Sequence, residues 1–159
     1  MRLTAYTDYT LRTLMYLAIN AERQTTISEI AERYRISEAH LTKIVHQLGL
    51  AGDIETIRGR NGGMRLRKAP RDINLGTVVR RTEPDMELVP CFDGSGVCTI
   101  GEACVLQSAL REALAAFLAV LDRYTLADLV APRTRLATLL SIDLPRAAGS
   151  RRAAAGAAC

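Results

Sequence analysis

Tryptophan is absent from the chain, and Phe92 and Phe117 are its only phenylalanines. A core of ordinary size must therefore be built from Leu, Ile, Val and Ala, and we expect it to be aliphatic. No run of 18 apolar residues occurs, which argues against a membrane span. The opening MRLTAYTDYT is polar, without the apolar stretch of a signal peptide, so the expected compartment is the cytoplasm. In that compartment the four cysteines are not expected to form structural disulfides. The chain also lacks a serine–histidine–carboxylate set, a phosphate loop and paired catalytic acids, so no enzyme activity is expected.

What is present divides by charge. The 159 residues carry a net charge of +4, a modest excess whose placement says more than its size. Arg58, Arg60, Arg65, Arg67, Lys68 and Arg71 follow one another with no acidic residue among them, whereas the stretch from Glu83 to Glu102 is acidic. One region is suited to phosphate and another to a different task.

Apolar periodicity predicts a mostly α fold with a small β wing. Leu11, Leu14, Met15 and Ala18 place a first helix over 4–20, which Asn20 stops. Thr26-Ile27-Ser28-Glu29 has the form of a capping box for a second helix, which ends near Tyr34. Ser37 then caps a third, with Leu41, Ile44, Val45 and Leu48 on one stripe and Gly49 and Gly52 ending it. Two short helices joined by about three residues suggest a helix-turn-helix. The following Ile54–Ile57, the turn RGRNGG and the alternating Met64–Arg67 read as a β-hairpin with a basic tip, which is a wing.

Another short helix is predicted over 73–82, with Leu75, Val78 and Val79 inward, and then a loop over 83–103. A long helix from about Cys104 to Tyr124 has an apolar face too broad for a small domain to cover, so we expect a second copy of the chain to cover it in a homodimer. Thr125-Leu126-Ala127-Asp128 opens a short final helix. The tail 145–159, which ends in Cys159, is low in complexity and expected to be disordered. The expected division is a winged helix-turn-helix over 1–82, a cysteine-bearing loop over 83–103, a dimerisation helix with a short C-terminal helix over 104–144, and the tail.

The polar residues Ser37, Glu38, His40, Thr42, Lys43 and His46 on the third helix are candidates to meet base edges in the major groove of a double-stranded operator. Arg58 and Arg60 of the wing suit a narrow minor groove. Asn61 and Arg65 extend that surface, and Gly62 and Gly63 allow close approach to phosphate.

Cys91, Cys98 and Cys104 follow the spacing C-x6-C-x5-C in a glycine-rich setting. Soft thiolates suit zinc, copper(I) or iron–sulfur clusters. No tight knuckle and no local fourth ligand is present, which argues against a simple zinc site. An iron–sulfur cluster, a zinc site and a thiol switch all remain open on spacing alone.

The segments LTAYTDYTLRTLMYLA, ISEIAERYRISEAHLTKIVHQLG, IETIRGRNGGMRL and LGTVVRRTEPDMELVPCF, followed by the three cysteines, resemble the iron–sulfur winged-helix repressor family over about residues 1–130. VHQLG, RGRNGG, RRTEPDMELVPCF and TDYTLR are most similar to its nitric-oxide-sensing branch. The resemblance implies a dimer with crossed long helices and one cluster per chain, 4Fe-4S in preference to 2Fe-2S. It also implies a fourth ligand, a carboxylate from the partner chain's first helix, at the position of Asp8. Asp8 and Arg12 lie four apart, and an ordinary surface ion pair is the other role open to Asp8. The cluster-biogenesis branch instead uses a histidine three residues after the last cysteine, where this chain has Gln107. The implied function is a repressor that nitric oxide releases from its operator by dismantling the cluster. The alternatives are an iron- or redox-responsive repressor of the same family, or a zinc or thiol-switch regulator without iron.

Overall fold

A computed structural model describes residues 2–59, 62–92, 100 and 103–144. The order of elements is α1 (Ala5–Ile19), α2 (Ile27–Tyr34), α3 (Glu38–Leu50), β1 (Ile54–Ile57), β2 (Gly63–Leu66), α4 (Leu75–Thr82), α5 (Val105–Leu121), α6 (Leu126–Leu129) and α7 (Arg133–Leu139). Single 3-10 turns stand at Pro70–Asp72 and Pro90–Phe92. The strands form an antiparallel hairpin with Ile54 opposite Leu66 and Ile57 opposite Gly63.

Each of the first three helices begins where a hydroxyl can accept an orphan backbone N–H. Thr4 caps Thr7 N, Thr26 caps Glu29 N and Ser37 caps His40 N. At Thr26 the hydroxyl accepts from Glu29 N, as a capping box requires. The Glu29 carboxylate is shared: besides the Thr26 backbone, the Tyr16 hydroxyl donates to it at 2.8 Å and Arg23 pairs with it. The Arg23 guanidinium holds the Glu29 carboxyl below the usual range.

α1 runs through the core. Leu14, Leu17 and Ile19 are buried on it, together with Ile30, Leu41, Ile44 and Leu48 of the helix-turn-helix, Ile54 and Met64 of the wing, and Leu126 of α6. The core is not purely aliphatic as expected. Tyr16 is fully buried, its ring edge-on to Tyr34 at 5.9 Å, and Thr7, Thr10 and Thr13 are buried beside it. These hydroxyls are satisfied at home: Thr10 and Thr13 donate to the carbonyls of Tyr6 and Tyr9, and Thr7 to Thr82.

Several predicted boundaries move. Gly49 lies inside α3, and only Gly52, with φ +69°, takes the left-handed conformation past the helix end. The returning strand spans 63–66 and excludes Arg67. The helix predicted over 73–82 starts at Leu75, because Asn74 accepts from Thr77 N as its cap while Ile73 remains extended and buried. The long helix ends at Leu121, and the C-terminal part holds two short helices where one was expected. Thr125 and Asp128 do form a full capping box at α6.

α4 and the end of α5 are joined closely. Asn74 Nδ2 donates to the Asp122 carbonyl at 2.7 Å, Leu75 N donates to the Tyr124 carbonyl at 3.0 Å, and Arg80 makes a bidentate pair with Asp122 at 2.6 and 2.7 Å. No residue of α5 is buried, and Val105 and Leu106 are 81% and 65% exposed.

Candidate DNA-reading surface and cysteine segment

α3 buries Leu41, Ile44, Val45 and Leu48 and turns its other side to solvent. Ser37, Glu38, His40, Thr42, Lys43 and His46 are all exposed there. Two of them have local duties as well. Ser37 Oγ accepts from His40 N, and Thr42 Oγ1 donates to the Glu38 carbonyl at 2.8 Å. His40 stands 6.1 Å from the Tyr9 ring, which brings α1 to the edge of this surface.

The wing extends beyond α3. Arg58 is exposed and makes no ion pair among the described residues, so its charge is available. Arg65 is exposed but pairs across the hairpin with Glu55 at 2.5 Å. Arg60 and Asn61 lie outside the described residues. Gly62 and Gly63 serve the protein itself. A Cβ on Gly62 would sit 2.4 Å from the Ile57 carbonyl oxygen, and one on Gly63 2.9 Å from that of Thr25. Any approach to phosphate is an additional use of these glycines.

Asp53 joins the recognition helix to the wing, and sequence reading passed over it. It is 3% exposed, its N–H reaches the Leu48 carbonyl and its own carbonyl accepts from Arg67 N. Its carboxylate takes Lys68 Nζ at 2.7 Å on one oxygen and Arg81 Nη2 at 2.5 Å on the other. A lone acid between a helix-ending glycine and a strand, followed by a basic run, was the available signal.

The cysteine segment is described only in part. Cys104 is a free, half-buried thiol and stands as the N-cap of α5, a place that favours negative charge. The backbone of Cys91 forms the 3-10 turn Pro90–Phe92, and the next residue, Phe92, lies under Arg111 of α5 with the guanidinium 4.7 Å from the ring centre. That contact draws the Cys91 turn onto α5. Cys98 and Cys159 lie outside the described residues. Among the described residues no group of three or more His, Cys, Asp and Glu converges. Asp8 forms the surface pair with Arg12, at 2.9 and 2.8 Å, and both side chains are nearly half exposed. Arg12 also lies over the Tyr34 ring.

Residues 3–132 match the model of the family Rrf2, described as an iron-dependent transcriptional regulator. The chain belongs to the Rrf2 family. It is 51% identical over 142 residues to the HTH-type transcriptional regulator NsrR of Shouchella clausii, spanning 88% of this chain and 95% of that one. It is also 51% identical over 146 residues to the regulator of the same name from Bacillus subtilis, spanning 89% and 99%. Among solved structures, IscR of T. potens superposes with a TM-score of 0.67 at 26% identity, spanning 83% of this chain and 88% of that one. The winged helix-turn-helix of this Rrf2 protein is thus that of an HTH-type transcriptional regulator. No described helix is long and apolar enough to cross a membrane.

Proposed function

We propose that this Rrf2 protein is a cytoplasmic, homodimeric repressor that senses nitric oxide through an iron–sulfur cluster, 4Fe-4S in preference to 2Fe-2S and one per chain. Cys91, Cys98 and Cys104 would hold it, with Asp8 supplied by the partner chain. The observation that carries the reading is the place of Cys104: a free thiol at the N-cap position of a long helix of which no residue is buried. A ligand and an uncovered apolar face on one helix are what a centre near a dimer interface requires.

The donor set fits such a cluster. Thiolates are the usual ligands of iron–sulfur centres, and the Phe92–Arg111 contact already draws the first cysteine's turn onto the helix that carries the last. Asp8 is solvent-accessible on α1, so a second chain can reach it once Arg12 releases it. When bound, the cluster supplies an iron with an oxygen ligand, the position most open to a small molecule.

The chain does the rest. α5 carries a stripe of exposed Leu106, Ala109, Ala113, Ala116 and Val120, alternating three- and four-residue steps as in a helix-pair seam. Two recognition helices must meet half-sites about one DNA turn apart or a multiple of it. Freeing Asp8 from the partner's site changes how the two chains sit, and a small rotation then removes the match. Ser37, Glu38, His40, Thr42 and Lys43 would read the major groove, and Arg58, Arg60, Asn61, Gly62 and Arg65 would follow the adjacent backbone and minor groove.

Absorption spectroscopy with iron and sulfide analysis of anaerobically purified protein tests this, followed by a gel shift with and without nitric oxide. The expected result is a visible chromophore that nitric oxide changes as the DNA is released. A colourless protein with one tightly bound zinc per chain would defeat the cluster. Operator binding that follows iron supply or oxidants but not nitric oxide would move the reading to the iron- or redox-responsive alternative. Asp8→Ala should keep the fold and shorten the cluster's lifetime; an unaltered lifetime removes Asp8 from the ligand set.

A further inference from the structure

Four successive residues at the end of α4 each grip a different part of the molecule. Arg80 holds Asp122, just past the end of α5. Arg81 holds Asp53, which also binds Lys68 and so joins the end of the recognition helix to the base of the wing. Thr82 accepts a 2.8 Å hydrogen bond from Thr7 Oγ1 in the first turn of α1. Glu83 Oε1 accepts from Thr4 N at 2.9 Å and Thr4 Oγ1 at 3.1 Å, fixing the residue that caps α1. Asp8 follows one residue after Thr7. Beyond Glu83 the chain leads into the cysteine segment.

We infer that Arg81 is a positioning residue for operator binding, setting the recognition helix and wing through Asp53, and that Glu83 is a coupling residue, tying the Asp8 turn to the same helix end through Thr4. The inference rests on the cluster reading for its sensing half only.

The physical argument is about what can move independently. Asp53 is buried, and an unpaired buried carboxylate is costly, so its two cations are held firmly. Lys68 pulls on the wing side and Arg81 on the α4 side of one carboxylate. A displacement of α4 relative to α3 therefore has to carry Asp53 with it or break the pair. At the other side Glu83 ends α4, its N–H donating to the Val79 carbonyl, so its carboxylate and the helix move together. A shift of the α1 first turn, as on losing a bond through Asp8, reaches α4 through Glu83 and Thr82, and reaches the reading elements through Arg81. Sites that bias one two-state element in this way are coupled.

Arg81 could instead be an ordinary phosphate contact, since its side chain is 35% exposed. Salt dependence separates the two. A cation that neutralises a phosphate adds about 0.9 to the slope of log affinity against log salt, whereas a positioning cation adds nothing.

The experiment uses full-length protein, with and without reconstituted cluster, and a duplex selected from a random library by the wild type. Arg81→Gln should weaken apo binding by about tenfold, a loss of the size one wrong base pair causes, and leave the salt slope unchanged. Arg81→Lys, which keeps charge and reach to one Asp53 oxygen, should recover part of the affinity and serves if the glutamine variant does not fold. Glu83→Ala should lower the ratio of holo to apo affinity, about 5–150-fold for a typical coupled pair, severalfold towards one, the Thr7–Thr82 bond carrying what remains. A slope reduced by about one in either Arg81 variant, or wild-type affinity in both, overturns the role of Arg81. A wild-type ratio in Glu83→Ala overturns that of Glu83. If the wild type takes up no cluster, the sensing proposal is what has failed, and the Arg81 arm still decides its half on the apo protein.

Discussion

Tyr16 shows how one side chain serves both packing and charge. Its ring lies in the core, while its hydroxyl reaches Glu29, which Arg23 also holds. Burial first, and then the hydrogen bond to Glu29, push the Tyr16 pKa up to about 12 from its ordinary 10.0. The sign follows from linkage. The folded protein keeps the phenol neutral where the unfolded chain has begun to ionise, so the contribution is complete below pH 10 and lost as pH rises towards 12. Tyr16→Phe should cost about 1 kcal/mol near neutral pH through the lost hydrogen bond. The gap between wild type and variant in urea unfolding midpoint should then narrow in alkali. A gap that stays constant into alkali would show that the phenol is not held neutral.

Among the elements, the α4–α5 corner is the most constrained. Gly76 is buried within α4, and a Gly→Ala change inside a helix would normally stabilise by about 1 kcal/mol. Here an added Cβ would stand 1.9 Å from Asp122 Oδ1 and 2.8 Å from Arg80 Nη1. The carboxylate would have to leave, and the bidentate pair with it. Gly76→Ala should therefore forfeit the usual helical gain, the displaced Arg80–Asp122 pair offsetting it, measured as a thermal midpoint that does not rise. A raised midpoint would mean that the corner yields easily. The glycine in LGTVVRR gave no sign of this, because the partner is 46 residues away in sequence, at Asp122.

At the scale of the whole molecule, α5 is covered on one side only. Its Leu110, Leu114 and Phe117 border a groove of about 470 Å³ shared with the 83–88 segment and residues 2–4 of the same chain. Among the described residues the stripe from Leu106 to Val120 stays exposed, as the proposed pairing with a second α5 requires. Ala113→Glu, at the middle of that stripe, should convert the proposed dimer to monomer in sedimentation experiments and weaken operator binding while the helical content of each chain persists. An unchanged dimer would place the interface elsewhere.

The helix-turn-helix, the wing and the long helix were readable from the sequence because they rest on local physics. Hydroxyl caps at Thr4, Thr26 and Ser37, apolar stripes at helical spacing and glycines in the hairpin act within a few residues of each other. The cysteine spacing and the polar face of α3 were readable for the same reason. The buried tyrosine, the sharing of Glu29 with Tyr16 and Arg23, the Asp53 hub and the grip of α4 on α5 were decided only by tertiary structure. Each depends on a charge or a volume meeting a partner brought near by folding, and nothing in a side chain's own neighbourhood in sequence specifies which distant group will stand opposite it.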